Sequence, residues 1–170
     1  MRKYLTTLLF TLVLAISGVA AENFSGTWTL DLKASDNTDS MMKRVGVSVL
    51  ERKIGSALKL KATYHQSENV LNIDTKGPAF SRKETHHLDG RADPGKDQQL
   101  GHHTARTLWS KDGKQLITTN DFKTRDGKKA QLTVARHLTG GGKALVLTLT
   151  LKIEGEPDGP PVKRIWRKKV

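Results

Sequence analysis

The sequence has no cysteine among its 170 residues. No disulfide can stabilise the fold, and thiol catalysis and cysteine-based metal sites are excluded. Aromatic residues form only 5% of the chain and are not interleaved with the basic residues, which argues against stacking with nucleic acid bases. The sequence also lacks a Gly-x-Ser-x-Gly motif, a phosphate-binding loop and a metalloprotease helix. We therefore expect a protein that is not an enzyme, needs no cofactor and binds no nucleic acid.

The first 21 residues have the composition of a secretory signal. Met1, Arg2 and Lys3 form a basic start, the following apolar run at 8–16 is too short for a membrane span, and Ala21 ends a small-residue segment. The pattern predicts cleavage after Ala21 and a secreted or periplasmic protein, with an uncleaved anchor as the alternative. Residues 22–170 then form one domain, a length that suits a single hydrophobic core.

Basic residues outnumber acidic ones. The whole chain has a formal net charge of +12, and loss of Arg2 and Lys3 with the signal lowers it to +10. Such a surplus favours contact with anionic surfaces, although it does not choose among lipid head groups and acidic polymers.

The segment 24–34 alternates apolar and polar residues with a period of two, which predicts a half-buried strand. Residues 35–40 are rich in helix-capping types and precede a short predicted helix at 41–45, broken at Gly46. Ser48 and Glu51 have the spacing of a capping box. Apolar residues then recur at helical spacing, at Val47, Leu50, Ile54, Ala57 and Leu58. We expect two short amphipathic helices that form a hairpin over an apolar surface.

Strand patterns fill the rest of the chain, except for an irregular polar stretch at 91–101. They cover about 58–65, 70–75, 80–88, 102–110, 114–123, 129–138, 143–153 and 161–168. Their connections contain Asp-Gly pairs and a Gly-Gly-Gly run, which are typical of hairpin turns. Nine or ten antiparallel strands in one domain predict a closed up-and-down β-barrel, which leaves no exposed edges.

The order of these elements resembles that of the cytosolic fatty-acid-binding proteins, in the calycin/lipocalin superfamily. The similarity rests on Phe24-x-Gly26-Thr27-Trp28, on the helical segments, and on a tail ending in Arg164-Ile165-Trp166. The resemblance implies a ten-stranded barrel with a helix-turn-helix lid after its first strand. Two features differ from the family pattern: the export signal, and Trp166 where the family commonly has Tyr.

Two arginines stand on otherwise apolar strand faces. Arg136 shares a face with Val134 and Leu138, and Arg164 shares one with Val162 and Trp166. A guanidinium inside a barrel is costly without an anionic partner, and a carboxylate is the natural one. The alternative is that one arginine stacks on Trp28 or Trp166 and closes the barrel.

The resemblance implies that a fatty-acid carboxylate is held at Arg136, Arg164 and the Trp166 position. Because Trp has no acceptor and a differently placed donor, the third contact differs from that of Tyr.

The lid has two expected roles. Its apolar residues, with one strand residue, form the expected ligand portal: Met41, Met42, Leu50, Ile54 and Phe80. Its basic residues are candidates for transient contact with an anionic membrane: Lys43, Arg44, Arg52 and Lys53. The alternative for the basic residues is a solvated face.

Two histidine pairs, His86-His87 and His102-His103, suggest a metal site, but neighbours on a strand point to opposite faces. At most two imidazoles would converge, so we expect no metal. The strand patterns do not settle whether Arg82, His86, His103 and Arg106 face inward. We expect a monomer that binds a long-chain fatty acid or related small hydrophobic ligand for storage or transport. The alternative is a ligand-free secreted protein whose basic surface binds an anionic partner.

Overall fold

The computed structural model describes residues 21–78, 80–97 and 100–169, so the predicted signal lies almost entirely outside the described part. These residues form two helices and ten strands. In chain order they are β1 Gly26–Leu30, α1 Asp39–Arg44, α2 Val49–Ala57, β2 Lys61–Gln66, β3 Val70–Gly77, β4 Phe80–His87, β5 Asp93–Asp97, β6 Gly101–Trp109, β7 Leu116–Lys123, β8 Lys129–Thr139, β9 Ala144–Ile153 and β10 Val162–Lys168. Neither helix is long and apolar enough to cross a membrane.

All ten strands belong to one antiparallel sheet in the order β4-β3-β2-β1-β10-β9-β8-β7-β6-β5. The first and last strands are neighbours, with Trp28 opposite Lys168. The sheet curls until its two edges, β4 and β5, approach each other. Across this gap the backbone N–H of His87 donates to Asp93 Oδ2 at 2.9 Å, and Gly90 N–H donates to the Thr107 carbonyl at 3.0 Å. The predicted up-and-down barrel with two helices after the first strand is confirmed as a nearly closed barrel.

The strand β5 lies within the stretch that the sequence predicted to be irregular, so that expectation is wrong. Pro94 and Gly95 obscure the strand pattern there. The strand is possible because β5 is an edge strand that pairs only with β6 in the sheet, and an edge tolerates a residue without a backbone donor.

The barrel is closed at one end by aromatic residues. The Phe24 and Trp109 rings stack with centroids 5.8 Å apart, and Trp28 Nε1 donates to the Phe24 carbonyl at 2.9 Å. Gln66 fixes the segment before β1 by accepting a hydrogen bond from Phe24 N–H at 2.9 Å. Burial of both Phe24 and Trp28 is complete. This apolar plug leaves the opposite end of the barrel to the helices.

At the opposite end, α1 covers a second apolar cluster. Met41 and Val45 pack against buried residues that come mainly from the ends of β7, β8 and β9: Leu100, Phe122, Ala130, Leu151 and Ile153. The helix starts at Asp39, and the Thr38 side chain makes no capping hydrogen bond. The expectation of a helix over an apolar surface is therefore confirmed for α1.

Helix α2 has the predicted capping box but not the predicted orientation. The Ser48 backbone N–H donates to Glu51 Oε2 at 3.0 Å, and Glu51 N–H donates to Ser48 Oγ at 3.4 Å. However, Leu50 and Ile54 are 69% and 55% exposed, so the expectation that they pack over an apolar surface is wrong. The helix instead turns Gly55 towards Met42 of α1, which leaves its apolar face in solvent.

Candidate functional site

The sequence-predicted arginines lie in one row across three neighbouring strands. Arg136 on β8 is opposite Leu147 on β9, and Leu147 is opposite Arg164 on β10. Directly opposite residues share a face, so both arginines start from the inner wall with Cα atoms about 10 Å apart, two strand spacings. Trp166 follows on the same face and is buried.

Arg136 is the buried cation of this row. Its side chain is 4% exposed, and its Nη1 donates to Thr118 Oγ1 at 2.7 Å and, more weakly, to the Val134 carbonyl at 3.5 Å. Both acceptors are uncharged oxygens. Among the residues that the structure describes, the buried Nε of Arg136 has no hydrogen-bond partner. The guanidinium therefore has N–H donors available for a further partner. Because burying a charge is costly unless it is paired, an anion is the partner that stabilises it most.

Thr118 extends the contact with Arg136 to β6, because its Oγ1 lies 2.9 Å from Thr107 Oγ1. The two hydroxyls carry two protons and share a single hydrogen bond between them. One proton therefore stays available to a third group near Arg136.

Arg164 points away from Arg136. Its side chain is half-buried, and Nη1 donates to the Asp36 carbonyl at 2.9 Å, in the segment that leads into α1. Arg136 instead reaches towards β7, on the other side of the row. The structure therefore places the predicted residues on one wall but does not bring the two guanidiniums together.

The predicted aromatic contacts also differ in detail. The buried Nε1 of Trp166 has no hydrogen-bond partner within the described part of the chain, so this indole has a donor available inside the barrel. The cation over Trp28 is Lys168, whose Nζ lies 5.4 Å from the ring centroid. The alternative of an arginine stacked on Trp28 is replaced by this lysine.

Strand β4 adds an inward polar group that the sequence left unassigned. Glu84 is opposite the buried Ile73, and Arg82 and His86 share its face. Arg82 Nη2 donates to Glu84 Oε1 at 2.9 Å, and His86 Nε2 lies 3.5 Å from the same oxygen. Burial alone would raise the pKa of Glu84, but the contact with His86 and the charge of Arg82 outweigh it and bring the pKa to about 2. Glu84 is thus a carboxylate that accepts and cannot donate.

His86 is buried and uncharged near neutral pH. Its side chain is 4% exposed, and burial lowers its pKa despite the opposing effect of Glu84. The charge of Arg136 lowers the pKa of His86 further and also acts on Tyr64, whose pKa burial raises. The charge of Arg136 thus reaches the polar group on β4 across the interior.

The remaining open orientations are also settled. Arg106 faces outward and pairs with Asp121 at 3.0 Å, whereas the half-buried His103 is opposite the buried Phe122 and shares its inward face. His87 is outward, and its Nδ1 lies 2.6 Å from Asp93 Oδ1. Neighbouring histidines therefore point to opposite faces, as expected. Within the described ranges, no three His, Cys, Asp or Glu side chains are grouped as metal ligands.

The apolar wall beside Arg136 is not tightly packed. Three inward leucines on β8 and β9 are only half-buried: Leu132, Leu147 and Leu149. An inward residue keeps accessible surface only where the interior beside it is not filled by side chains. This wall therefore adjoins space that an apolar group can enter.

Two of the four basic lid residues are engaged within the protein. Arg44 donates to the Pro157 carbonyl at 2.7 Å, and Arg52 Nε donates to Asp39 Oδ1 at 2.8 Å. Lys43 and Lys53 are exposed. Of the predicted portal residues, Met41 points from α1 into the apolar cluster beneath it, and Met42 is half-buried against Gly55. The side chain of Phe80 lies outside the described part.

An ion pair joins α2 to the barrel. Arg125, in the turn between β7 and β8, donates to both carboxylate oxygens of Glu51 at 2.8 and 2.9 Å. Contact with Arg125, and then with Ser48, lowers the pKa of Glu51 to about 2. The lid is thus held by charged contacts at its rim.

Comparisons with known proteins agree with this architecture. The sequence matches no protein-family model. It is 29% identical over 151 residues to the intestinal fatty acid-binding protein of Rattus norvegicus, covering 85% of this chain and 98% of the relative. A Schistosoma mansoni fatty acid binding protein, solved in complex with arachidonic acid, has a TM-score of 0.66 at 18% identity and covers 86% of this chain and 96% of its own. Lipid binding protein 8 of Caenorhabditis elegans has a TM-score of 0.67 at 16% identity, covering 86% of this chain and 95% of its own. The chain thus has the β-barrel fold of the fatty-acid-binding proteins and is similar in sequence to one of them.

Proposed function

We propose that the protein binds a long-chain fatty acid or a related lipid inside its barrel, for storage or transport. The observation that carries this proposal is the buried guanidinium of Arg136, which has only uncharged acceptors and an unpartnered Nε. A ligand carboxylate supplies an anion in direct hydrogen-bond contact with this guanidinium. The half-buried leucines beside it supply a wall for the hydrocarbon chain. The names of the rat and Schistosoma relatives support the same ligand class.

The first test is to extract the purified protein with organic solvent and identify the bound lipids by mass spectrometry. The delipidated protein is then titrated with palmitic acid by calorimetry. We expect a fatty acid in the extract and saturable binding of palmitic acid. An empty extract together with no binding contradicts the proposal and favours the ligand-free alternative, in which the basic surface binds an anionic partner.

We further propose that α2 is the element that contacts anionic membranes. Its exposed apolar residues are Val49, Leu50 and Ile54, and the exposed Lys53 lies among them on the same helix face. An apolar helix face with a basic side chain is suited to the interface of an anionic bilayer. Lys43 on α1 adds a second free ammonium, whereas Arg44 and Arg52 are already bonded within the protein.

The membrane proposal is tested by co-sedimentation with vesicles of phosphatidylcholine alone or with phosphatidylglycerol. Each lysine near an anionic surface contributes about 1 kcal/mol. Lys43→Glu with Lys53→Glu should therefore abolish binding to the anionic vesicles at low salt. The matched control is Lys61→Glu with Lys83→Glu, which makes the same charge change on exposed residues of the barrel wall. Equal losses in both double variants would assign the attraction to net charge and not to the lid.

Finally, we propose that the protein is exported and that residues 1–21 are removed. The basic start, the apolar run and the small residues ending at Ala21 support this proposal. N-terminal sequencing and intact mass of protein from the cell envelope or medium should give Glu22 as the first residue. Retention of Met1 in that fraction contradicts cleavage.

A further inference from the structure

His86 is a buried polar side chain whose two ring nitrogens are both poorly satisfied. It is 4% exposed on the inner face of β4, and among the described residues neither ring nitrogen finds a close hydrogen-bond partner. Nε2 has a long contact with Glu84 Oε1 at 3.5 Å, and that oxygen already accepts a hydrogen bond from Arg82. Buried polar groups in folded proteins are almost always satisfied, so an imidazole left open in this way calls for a partner.

The neutral imidazole offers one N–H donor and one nitrogen acceptor, while the neighbouring Glu84 offers a carboxylate. A fatty-acid carboxylate cannot complete this group, since two carboxylates at one place repel each other. A hydroxyl completes it, because a hydroxyl both donates and accepts. It can donate to Glu84 or to the bare ring nitrogen and accept from the ring N–H.

The position of that hydroxyl along a ligand is limited by Arg136. Leu71 and Ile73, which are directly opposite His86 and Glu84, lie in the same buried cluster as Leu116, which is directly opposite Arg136. The carboxylate site and the His86 site therefore adjoin one cluster, and the charge of Arg136 acts on both Glu84 and His86. The apolar clusters lie towards the two ends of the barrel, at Trp28 and at Phe122. A hydroxyl that reaches His86 while the carboxylate is at Arg136 must therefore be attached close to the carboxyl end of the chain.

We propose that the preferred ligand of this barrel is a fatty acid hydroxylated near its carboxyl group, and that His86 with Glu84 recognises the hydroxyl. This inference rests on the proposed function, because it assumes that Arg136 holds the carboxylate. It makes His86 a specificity-determining residue: Arg136 binds the carboxylate of the ligand, and His86 binds its hydroxyl.

The test compares palmitic, 3-hydroxypalmitic and 16-hydroxypalmitic acids by calorimetric titration of the delipidated protein. One additional net hydrogen bond should make 3-hydroxypalmitic acid bind about three- to tenfold more tightly than palmitic acid. The 16-hydroxyl enters an apolar end without a partner, so 16-hydroxypalmitic acid should bind more weakly than palmitic acid. His86→Leu should remove the preference, so that palmitic and 3-hydroxypalmitic acids bind this variant with equal affinity.

His65→Leu is the matched control, because it makes the same change on an exposed residue of β2. It should keep the preference. If His86→Leu fails to fold, the parent protein still decides the matter by NMR: the imidazole resonances of His86 should shift with 3-hydroxypalmitic acid and not with palmitic acid.

Equal binding of palmitic and 3-hydroxypalmitic acids, or a preference that survives in His86→Leu, would overturn the inference and assign the open imidazole to a buried water. Failure of all three acids to bind the parent would instead overturn the proposed function.

Discussion

The variant Arg136→Leu tests whether Arg136 recognises the ligand carboxylate or only stabilises the barrel. In the free protein the guanidinium has one short hydrogen bond, to Thr118 at 2.7 Å, and an unpartnered Nε. A bound carboxylate supplies a charge-assisted hydrogen bond, which is worth about 1.5–3 kcal/mol. Its loss should weaken palmitic acid binding about 10- to 150-fold.

The hydrocarbon chain sets the scale against which this loss is measured. About 14 buried methylenes contribute roughly 0.8 kcal/mol each, some 11 kcal/mol before the cost of ordering ligand and side chains is subtracted. The variant should therefore still bind palmitic acid measurably. Methyl palmitate has no charge for Arg136 to read, so it should lose little affinity or even gain some once the unpaired buried cation is gone.

Arg164→Leu is the internal control. Its guanidinium is half-buried and already bonded to the Asp36 carbonyl, so we expect a smaller loss for the acid than in Arg136→Leu. Calorimetric titration of the parent and both variants with acid and ester gives the four differences that are needed. Equal losses of acid and ester in Arg136→Leu would show that this arginine supports the barrel and would refute the reasoning. Unchanged acid affinity would refute it equally.

Three further outcomes follow from the structure. Burial lowers the pKa of His86 below its ordinary value of 6.5. As the pH falls, this histidine therefore binds a proton in the unfolded chain before it does so in the folded protein. The free energy of unfolding, measured with urea, should decrease below about pH 6.5. In His86→Leu this first loss should vanish, and the loss below about pH 4.5 due to Glu84, whose pKa is about 2 against an ordinary 4.5, should shrink because the contact with His86 is the largest effect that lowers this pKa. Phe24→Ala should remove a completely buried ring stacked on Trp109 and destabilise the protein by about 3–5 kcal/mol in the same assay; a cost below 1 kcal/mol would contradict the closed-end packing. Ser48→Ala should remove the α2 cap and cost about 0.5–1 kcal/mol, with faster amide exchange confined to α2, and unchanged exchange there would contradict a stabilising cap.

The sequence predicted the features that depend on local patterns. Period-two alternation and Gly-containing turns located most strands, and the spacing of Ser48 and Glu51 located the cap of α2. Arg136 was identified because it interrupts an otherwise apolar strand face, and the structure buries it as expected.

Features that depend on distant partners were not predictable in this way. The helical period of α2 shows that Leu50 and Ile54 share a face. It does not show that α2 contacts α1 through Gly55 and leaves Leu50 and Ile54 exposed. On β4 both faces are polar, so hydropathy could not show that Glu84 and His86 point inward. The available signal was the placement of titratable residues at alternate positions of one strand.

The partner of Arg164 could not be predicted for a different reason. Its guanidinium binds the backbone carbonyl of Asp36, and a backbone acceptor leaves no signal in residue type. Its direction depends on the path of the segment before α1, which only the folded chain defines.

Because β1 pairs with β10, the protein can be circularly permuted without separating any paired strands. The first and last described segments lie side by side, with Lys169 N–H bonded to the Thr27 carbonyl at 2.8 Å, while the strands β4 and β5 do not pair as neighbours in the sheet. A short linker between these two segments and a new start within 88–92 would give a chain in which every pair of hydrogen-bonded strands is also consecutive. The most distant strand pairing of the natural order would then become a local hairpin, and two-state proteins with more local contacts fold faster. The permuted chain should therefore fold faster than the natural one while enclosing the same interior.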